Sequence, residues 1–259
     1  MDTKVLLKRL SKMFPKRLAA SYDHVGLQLG KIKDDTKTIF LCLDFDEIVL
    51  KYILDNHLED KIDLIITHHP FFFGKRSQIL KHDEHKRMVT EKMLELDIPI
   101  YSYHTNFDTG YPGMNDALTE LLGLQNIKVL DTDNCARGGE LTNEMEVHEF
   151  CKYAIEKLRV PYGSLIAKGN KYIKKVAIVG GGGWSSYRAA QFEGYDIFIS
   201  GDITHHSRRD IVLDKFNYLN IPHEVENVFM KQFKKVLLSI EPNLEVLTLT
   251  HEEIPELIS

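Results

Sequence analysis

The chain has 259 residues, of which 43% are hydrophobic and 27% charged, as in an ordinary soluble globular protein. Its net charge of −5 excludes the basic surface expected of a nucleic-acid-binding protein. No apolar run approaches the roughly 18 residues of a transmembrane helix, and the N-terminal segment lacks the small-residue cleavage site of a signal peptide. Three widely spaced cysteines and no CxxC pair predict a cytoplasmic protein with reduced thiols. The charge and the lack of a long apolar run predict neither nucleic-acid nor membrane partners.

The first half of the sequence alternates helix and strand patterns. In chain order, apolar periodicity predicts a helix at Val5 to Met13, a strand at residues 38–43, a helix at Ile48 to Ile53, a strand at residues 63–67, a helix at His85 to Leu96 and a strand at Ile98 to Tyr103. This alternation is typical of a mostly parallel sheet whose strands are connected by helices.

The second half repeats this plan in KKVAIVGGGGWSSYRAAQFEGYDIFISGDITHH, which is predicted to run strand, glycine-rich turn, helix, strand and polar ending. Residues 63–67 and 196–200 match position by position as an acidic residue, three apolar residues and a hydroxyl residue. We therefore predict an α/β fold of two similar, interlocked α/β lobes with mostly parallel sheets. The lobes are predicted over residues 1–125 and 126–259, with one continuous domain over 1–259 as the alternative.

Three further elements complete the prediction. Residues from Leu141 to Tyr172 are expected to be mostly helix and loop and to join the two halves. A helix near Val228 to Ser239 and a strand at Leu244 to Leu249 are predicted at the C-terminal end.

Two adjacent histidines follow the predicted strand that ends at Thr67. Parallel α/β sheets place their ligand sites beyond the carboxyl ends of the strands, and His68 and His69 lie at such an end. Pro70 cannot donate a ladder hydrogen bond, so it ends the strand and lets both imidazoles leave the sheet. Neutral imidazoles there would ligate a metal or act as bases; the alternative is that they cap polar backbone groups.

Carboxylates beside further histidines favour the metal interpretation. His104 and Asp108 follow another predicted strand, and His223 and Glu226 open the predicted C-terminal helix. Imidazole and carboxylate together suit Zn, Mn or Fe. Taken singly, Asp108 is explained by an Asx-turn and Glu226 by the dipole of the helix. Three strand ends with the same chemistry nevertheless predict a metal site.

The stretch GGGGWSSYR, from Gly180 to Arg188, follows a strand and opens a helix, as phosphate-binding loops do. It lacks the Gly-Lys-Ser/Thr ending of a P-loop, so backbone anion binding and a tight structural turn both stay open. The sequence contains no Gly-x-Ser-x-Gly motif, which disfavours covalent catalysis by a serine nucleophile.

These pieces resemble the Nif-three-like family, whose members are also called GTP cyclohydrolase 1 type 2 homologues. The resemblance covers nearly the whole chain in the expected order, and the combination of THHP with HTNFD is specific. The matching stretches are YDHVGLQLG (22–30), FLCLDFDEIV (40–49), DLIITHHPFFF (63–73), YSYHTNFD (101–108), VAIVGGGG (176–183), DIFISGDITHH (196–206) and the region of His223.

The resemblance implies a centre of two divalent ions per chain, of Zn, Fe, Mn or Ni. Its metal ligands would fall on His68, His69, Asp108 and His223, with Asp108 bridging the ions. His104 would then lie behind the ligands or shuttle protons, and His205 is a second candidate for moving protons. The resemblance also implies a homo-oligomer, a toroidal hexamer.

The sequence departs from the family pattern at three positions. The family's last glutamate falls four residues after the late histidine, where this chain has Asn227, so Glu226 is predicted as the substitute ligand. Tyr22 stands where Trp is common and His24 where Asn is common; both are expected to be packing differences.

Two functions fit these residues. The first is a metal-dependent hydrolase acting on GTP, in which case C8 of the purine is attacked, or on another nucleotide or phosphoester. The second is a non-catalytic metal-binding, metal-delivery or regulatory protein. A complete ligand set with an open coordination position and a substrate pocket would favour the enzyme, whereas a solvent-open site would favour delivery.

Overall fold

The computed structural model describes residues 1–258; the predicted second lobe extends to Ser259, which lies outside the described residues. The strands are β1 (Gly26–Leu29), β2 (Thr38–Cys42), β3 (Leu64–Thr67), β4 (Ile100–Ser102), β5 (Gln125–Leu130), β6 (Asp133–Glu146), β7 (Ser164–Ile166), β8 (Tyr172–Ile178), β9 (Ile197–Ser200), β10 (Asn217–Asn220) and β11 (Glu245–Thr248). The helices are α1 (Thr3–Met13), α2 (Glu47–Asp55), α3 (Arg76–His82), α4 (Glu84–Glu95), α5 (Thr105–Thr109), α6 (Met114–Leu121), α7 (Val147–Leu158), α8 (Tyr187–Phe192), α9 (His205–Leu213) and α10 (Val228–Ile240).

Aspartate side chains begin several of the helices. Asp2, Asp46 and Asp83 precede α1, α2 and α4, and each carboxylate accepts a hydrogen bond from a backbone N–H of the first turn. These N–H groups have no partner within the helix, so an acceptor at the N-cap stabilises the helix, typically by about 1 kcal/mol.

The chain divides into two compact units. The first contains Met1–Pro112 and Phe229–Glu252, and the second contains Gly113–Val228 and the residues that follow Glu252. The first unit's N-terminal segment ends at Pro112, and the C-terminal helix and strand belong to the same unit. Whether residues 1–125 and 126–259 form the two lobes, or 1–259 one domain, stays a prediction.

The sheet of the first unit has the strand order β1-β4-β3-β2-β11. The pairs β4-β3, β3-β2 and β2-β11 are parallel, and only the edge strand β1 is antiparallel to its neighbour. Both β2 and β3 are buried along their whole length, as expected for parallel strands covered on both faces. The prediction of a mostly parallel sheet is confirmed for this unit.

The sheet of the second unit has the order β5-β6-β8-β9-β10-β7 and is more mixed than predicted. The pairs β8-β9 and β9-β10 are parallel, whereas β5-β6, β6-β8 and β10-β7 are antiparallel. A short turn joins β5 to β6, and strands joined so tightly can pair only in the antiparallel sense. The predicted α/β fold class holds, but the parallel part of this sheet is confined to three strands.

The segment from Leu141 to Tyr172 differs from its prediction as helix and loop. The strand β6 extends to Glu146, and β7 adds a second strand after α7. The strand β5 was not predicted from the sequence. Five of its six residues are exposed, so it lacks the apolar pattern of a buried strand.

The predicted repeat has a matching hydrogen-bond geometry in each unit. Asp63 Oδ2 accepts from the backbone N–H groups of Lys37 and Thr38, where β2 begins. Asp196 Oδ2 accepts from the N–H groups of Lys174 and Lys175 in β8. In both units the aspartate before one parallel strand therefore secures the backbone of the neighbouring strand.

No helix within residues 1–258 has the length and apolar character needed to cross a membrane.

Candidate metal centre

The strand register explains why the polar residues of the first unit meet. Cys42 pairs with Thr67, and Thr67 with Ser102, so β2, β3 and β4 end at one level. The residues that follow these strands therefore emerge at one edge of the sheet. At this edge the backbone N–H groups of both His68 and His69 donate to the carbonyl of Leu43, at 3.1 and 3.0 Å.

His68 is fully buried and its orientation is set by a backbone carbonyl. Its Nδ1 lies 2.9 Å from the carbonyl oxygen of Tyr103. Because a carbonyl only accepts hydrogen bonds, Nδ1 carries a proton, and in the neutral imidazole Nε2 keeps its lone pair. Nε2 lies 3.5 Å from Oδ1 of Asp108, whose residue is 8% exposed. An imidazole nitrogen and a buried carboxylate oxygen therefore face each other.

His69 is held in the same way by a carboxylate. Its Nδ1 lies 2.7 Å from Oδ2 of Asp44. Burial opposes the charged form of Asp44, but the hydrogen bond and charge of His69 outweigh it and lower the pKa of the Asp44 carboxyl below its usual value. A carboxylate on Nδ1 leaves Nε2 to act as the ligand atom, which is the usual arrangement of metal-binding histidines.

His104 completes the group, with its Nδ1 3.0 Å from Oδ1 of Asp23. Burial opposes the ionisation of Asp23, yet the hydrogen bond from His104 and those from Thr105 lower the pKa of its carboxyl to about 2. One ring nitrogen from each of His68, His69 and His104 lies within 4.8 Å of the other two. Nitrogens this close together could converge on one divalent ion, which binds imidazole nitrogens at about 2.0–2.1 Å.

Aromatic side chains line this cluster. The ring centroid of Phe229 lies 5.1 Å from that of His68, and Phe107 packs edge-on against Phe229 at 5.4 Å. Phe71 and Phe72 are buried in the core, whereas Phe73 is 59% exposed. The apolar surroundings lower the local dielectric and strengthen electrostatic interactions at the histidines.

The second unit places another histidine beside a carboxylate. His223–Asn227 form a 3-10 helix, in which residues three positions apart lie directly above each other. Oε2 of Glu226, a residue that is 4% exposed, accordingly lies 3.0 Å from Nε2 of His223. The 3-10 geometry explains why Glu226, rather than position 227, faces His223.

Asp202 holds the other ring nitrogen of this imidazole, with its Oδ2 2.5 Å from Nδ1 of His223. The hydrogen bond from His223 to Glu226, together with that to Asp202, outweighs burial and raises the pKa of His223 to about 9. Asp202 follows β9 and His223 follows β10, and Ser200 pairs with Asn220 in the register of these parallel strands. The two residues therefore emerge at the same edge of the sheet.

The glycine-rich loop after β8 approaches the same pair. Gly181 has φ +56°, and a methyl group there would lie 2.1 Å from Oε1 of Glu226. The side chain of Asn115 holds the start of the loop, because its Oδ1 accepts from the N–H of Gly180 at 2.8 Å. The loop is thus a tight turn whose backbone needs glycine beside the Glu226 carboxylate.

Replacing Gly181 by Ala is expected to displace Glu226 from His223 and to weaken divalent-metal binding by these two residues. The matched control is Gly194→Ala, because Gly194 has φ +75° and, apart from its two chain neighbours, no heavy atom of residues 1–258 lies within 4 Å of the added methyl. Both variants carry the left-handed backbone cost of about 1–2 kcal/mol. Urea unfolding and elemental analysis of both would separate strain from displacement, and equal metal content in the two would contradict the prediction.

The metal-free protein is expected to lose stability as the pH rises from 6.5 to 9. The pKa of His223 is raised from 6.5 to about 9 in the folded state, so its contribution is complete below pH 6.5 and disappears as the folded imidazolium loses its proton. The urea midpoint of chelator-treated protein should therefore fall over this range more than that of His223→Gln. Parallel curves for the two proteins would refute this assignment.

The described residues fit a divalent metal by their donor chemistry. His68, His69, His104 and His223 each direct Nδ1 to an oxygen atom, and carboxylate oxygens lie near Nε2 of His68 and of His223. The sequence had marked these histidines, Asp108 and Glu226. It missed the role of Asp23, whose signal was its place in YDHVGLQLG, and that of Asn115, which had no signal.

His205 belongs to the second unit. It is exposed in the first turn of α9 and lines an open cavity with Ile166, Arg208 and Leu213. Its assignment to proton transfer stays a prediction, as does that of His104.

An α/β fold with histidine–carboxylate groups at the ends of parallel strands defines a class of candidate metal-binding proteins. The family model of Duf34/NIF3 (NGG1p interacting factor 3) matches residues 1–255, and the chain belongs to this family. It is 32% identical over 248 residues to the GTP cyclohydrolase 1 type 2 homolog of Clostridium perfringens, covering 93% of each chain.

Solved structures agree with this assignment. The fold is similar to that of a Bacillus cereus protein related to NIF3, with a TM-score of 0.87, 21% identity, and coverage of 100% of this chain and 99% of the other. It is also similar to reduced HcgD from Methanocaldococcus jannaschii, with a TM-score of 0.78, 30% identity, and coverage of 96% and 98%. The family resemblance noted in the sequence is therefore confirmed.

Proposed function

We propose that this protein binds two divalent metal ions and acts as a metal-dependent hydrolase. The proposed ligands are His68, His69 and Asp108 together with His223 and Glu226. The observation that carries the proposal is the shared orientation of the histidines, each with Nδ1 directed to a carbonyl or carboxylate oxygen. In the neutral imidazole this partner sets the tautomer that leaves Nε2 as a ligand, and Nε2 of His223, which donates to Glu226 without metal, would become a ligand once its proton is lost.

A pair of divalent ions would supply Lewis acidity and would lower the pKa of a bound water. The protein's own residues would orient the ligands and move protons. Asp44 holds His69, and the carbonyl of Tyr103 holds His68, so that neither ring turns away. We propose that His104, whose Nδ1 contacts Asp23, accepts or donates a proton at Nε2. Asp202 holds Nδ1 of His223 in the same way that Asp44 holds Nδ1 of His69.

The name of the Clostridium perfringens relative, a GTP cyclohydrolase 1 type 2 homolog, supports nucleotides as the first substrates to test. GTP attacked at C8 of the purine and phosphoesters attacked at phosphorus both suit the proposed centre. His205 is included in the proposal as a second group that moves protons.

A metal-delivery protein is the second candidate. The observation in its favour is the exposure of the second unit's pair, since the side chains of His223 and Asp202 are 35% and 54% exposed. A ligand that solvent can reach is suited to handing an ion to another protein.

Elemental analysis of protein purified without added metal tests both candidates. We expect close to two divalent ions per chain, of Zn, Fe, Mn or Ni, and a protein that binds no divalent ion would refute both functions. Hydrolysis is then tested with GTP and a panel of phosphoesters, before and after treatment with a chelator and again after metal is restored. Turnover that chelation does not affect would refute the hydrolytic mechanism, and full metal content without turnover would favour delivery.

We also propose that the chain assembles with copies of itself, as a toroidal hexamer. Light scattering on the eluate of a size-exclusion column measures the mass directly. A monomeric mass at micromolar concentration would overturn this part of the proposal.

A further inference from the structure

Exposed aromatic rings lie beside His104. We call Tyr22, His24 and Phe73 the aromatic rim. Tyr22 is 64% exposed and Phe73 is 59% exposed. The ring centroid of Phe73 lies 6.3 Å from Tyr22, 6.4 Å from His24 and 6.3 Å from His104, each pair in an edge-to-face arrangement. Phe73 is thus the centre of the rim and its link to the histidine cluster.

The rim is held in place from below. Asp23 lies between Tyr22 and His24, and its carboxylate accepts hydrogen bonds from the backbone N–H and the hydroxyl of Thr105 as well as contacting Nδ1 of His104. Thr105 Oγ1 in turn accepts from the N–H of Ala20 at 2.9 Å. The backbone that carries Tyr22 and His24 is therefore tied to the start of α5. A surface ordered in advance loses little entropy when a ligand binds.

Packing does not account for these rings. Phe71 and Phe72 are 2% and 4% exposed, so the core next to the rim is filled by neighbours of Phe73 rather than by Phe73 itself. A cluster of large aromatic side chains left in solvent commonly marks a binding surface. Tyr22 and His24, expected from the sequence to be packing differences, are instead surface groups.

We propose that the aromatic rim binds a planar heteroaromatic ring of the substrate, of the nucleobase type, and holds it next to His104. The faces of Tyr22 and Phe73 offer stacking, and the ring nitrogens of His24 offer hydrogen bonds at the edge of such a ring. An aliphatic ligand would gain apolar contact with these rings but no stacking. The proposal rests on the proposed function, because it names the substrate class of the same centre.

Binding at the aromatic rim would position the substrate beside the histidine cluster. A ring stacked on Phe73 lies adjacent to the imidazole of His104, so the substituents of the ring come within reach of the histidine cluster. Binding energy from the ring would then orient the reacting bond, and a substrate without the ring would lose that contribution.

Isothermal titration calorimetry of AMP, GMP and ribose 5-phosphate tests the proposal, on metal-loaded and on chelator-treated protein. Stacking on an aromatic side chain strengthens binding by roughly tenfold or more per base. We expect the nucleotides to bind at least about tenfold more tightly than ribose 5-phosphate. Phe73→Ala and Tyr22→Ala should each weaken nucleotide binding by about tenfold, leave ribose 5-phosphate binding unchanged and leave the metal content unchanged.

Phe73→Tyr keeps the ring and should restore nucleotide affinity. The matched control is Phe192→Ala, because Phe192 is an exposed phenylalanine of the second unit, 82% accessible to solvent. Equal affinities for nucleotides and ribose 5-phosphate, or no nucleotide binding at millimolar concentration, would overturn the proposal. So would rim variants that change only the mass of the oligomer, since the rim would then be a contact between copies. A protein with full metal content and phosphoester turnover but an inert rim would refute this inference and leave the proposed function intact.

Discussion

Replacing His69 and Asp108 together by alanine is expected to lower the affinity for divalent metal by at least about 100-fold while leaving the protein folded. Loss of a single supporting residue of a metal site commonly costs about 10–100-fold, and here two proposed ligands are removed at once. The backbone of His69 stays anchored because its N–H donates to the carbonyl of Leu43, independently of the side chain. Elemental analysis after dialysis, with circular dichroism to verify folding, measures the effect.

His85→Ala provides the control for this experiment. Nδ1 of His85 lies 2.8 Å from Oε2 of Glu47, so it copies the His69–Asp44 contact on the surface, with 73% of its side chain exposed. Its loss should leave metal content and any turnover unchanged. If the double variant retained both ions, His69 and Asp108 would not be ligands, and the proposed centre would be wrong.

Replacing Asp116 by Ala is expected to lower the free energy of unfolding by about 3–5 kcal/mol, the cost of breaking a buried ion pair from one side. Asp116 Oδ1 lies 2.8 Å from Nε of Arg137, and the two residues are 6% and 1% exposed. Oδ2 of Asp116 also accepts from the N–H of Gly113 at 2.8 Å. The variant therefore loses a buried charge pair and the capping interaction that begins α6.

Urea unfolding measures this loss of stability, and two further variants serve as comparisons. Lys51→Ala breaks a helix ion pair with Asp55 whose side chains are 74% and 58% exposed, and should cost no more than about 1 kcal/mol. Combining Asp116→Leu with Arg137→Met removes both charges and should recover a large part of the stability. A loss below about 1 kcal/mol for Asp116→Ala would show that the buried pair does not support this unit.

Eight elements of the first unit followed from the sequence to within a few residues, whereas β1, α3 and α5 were not predicted. Apolar runs at β2 and β3 and amphipathic periodicity in α2 and α4 carry strong local signals, because each element is buried along its length or on one face. The strands β5 and β6 do not carry such signals. Most of β5 is exposed and β6 alternates only in part, so the pairing between them, rather than their composition, makes them strands.

The candidate ligands were also visible in the sequence, but the residues that hold the site in place were not. His68, His69, Asp108 and His223 follow strand ends and stand in recognisable motifs. Nothing local indicates that Asp23 contacts His104 or that Asn115 holds Gly180, because these partners lie 81 and 65 residues apart, and only the fold brings them together.

The sequence by itself determined the α/β class, the family and the chemical nature of the site, since periodicity, strand-end polarity and motif residues are local properties of the chain. The tertiary structure decided which nitrogen of each imidazole is held, that a 3-10 turn brings Glu226 over His223, and that Tyr22 and Phe73 stand in solvent beside His104. It also decided that residues after Phe229 complete the first sheet. These outcomes depend on distances between groups far apart in sequence, which no local pattern encodes.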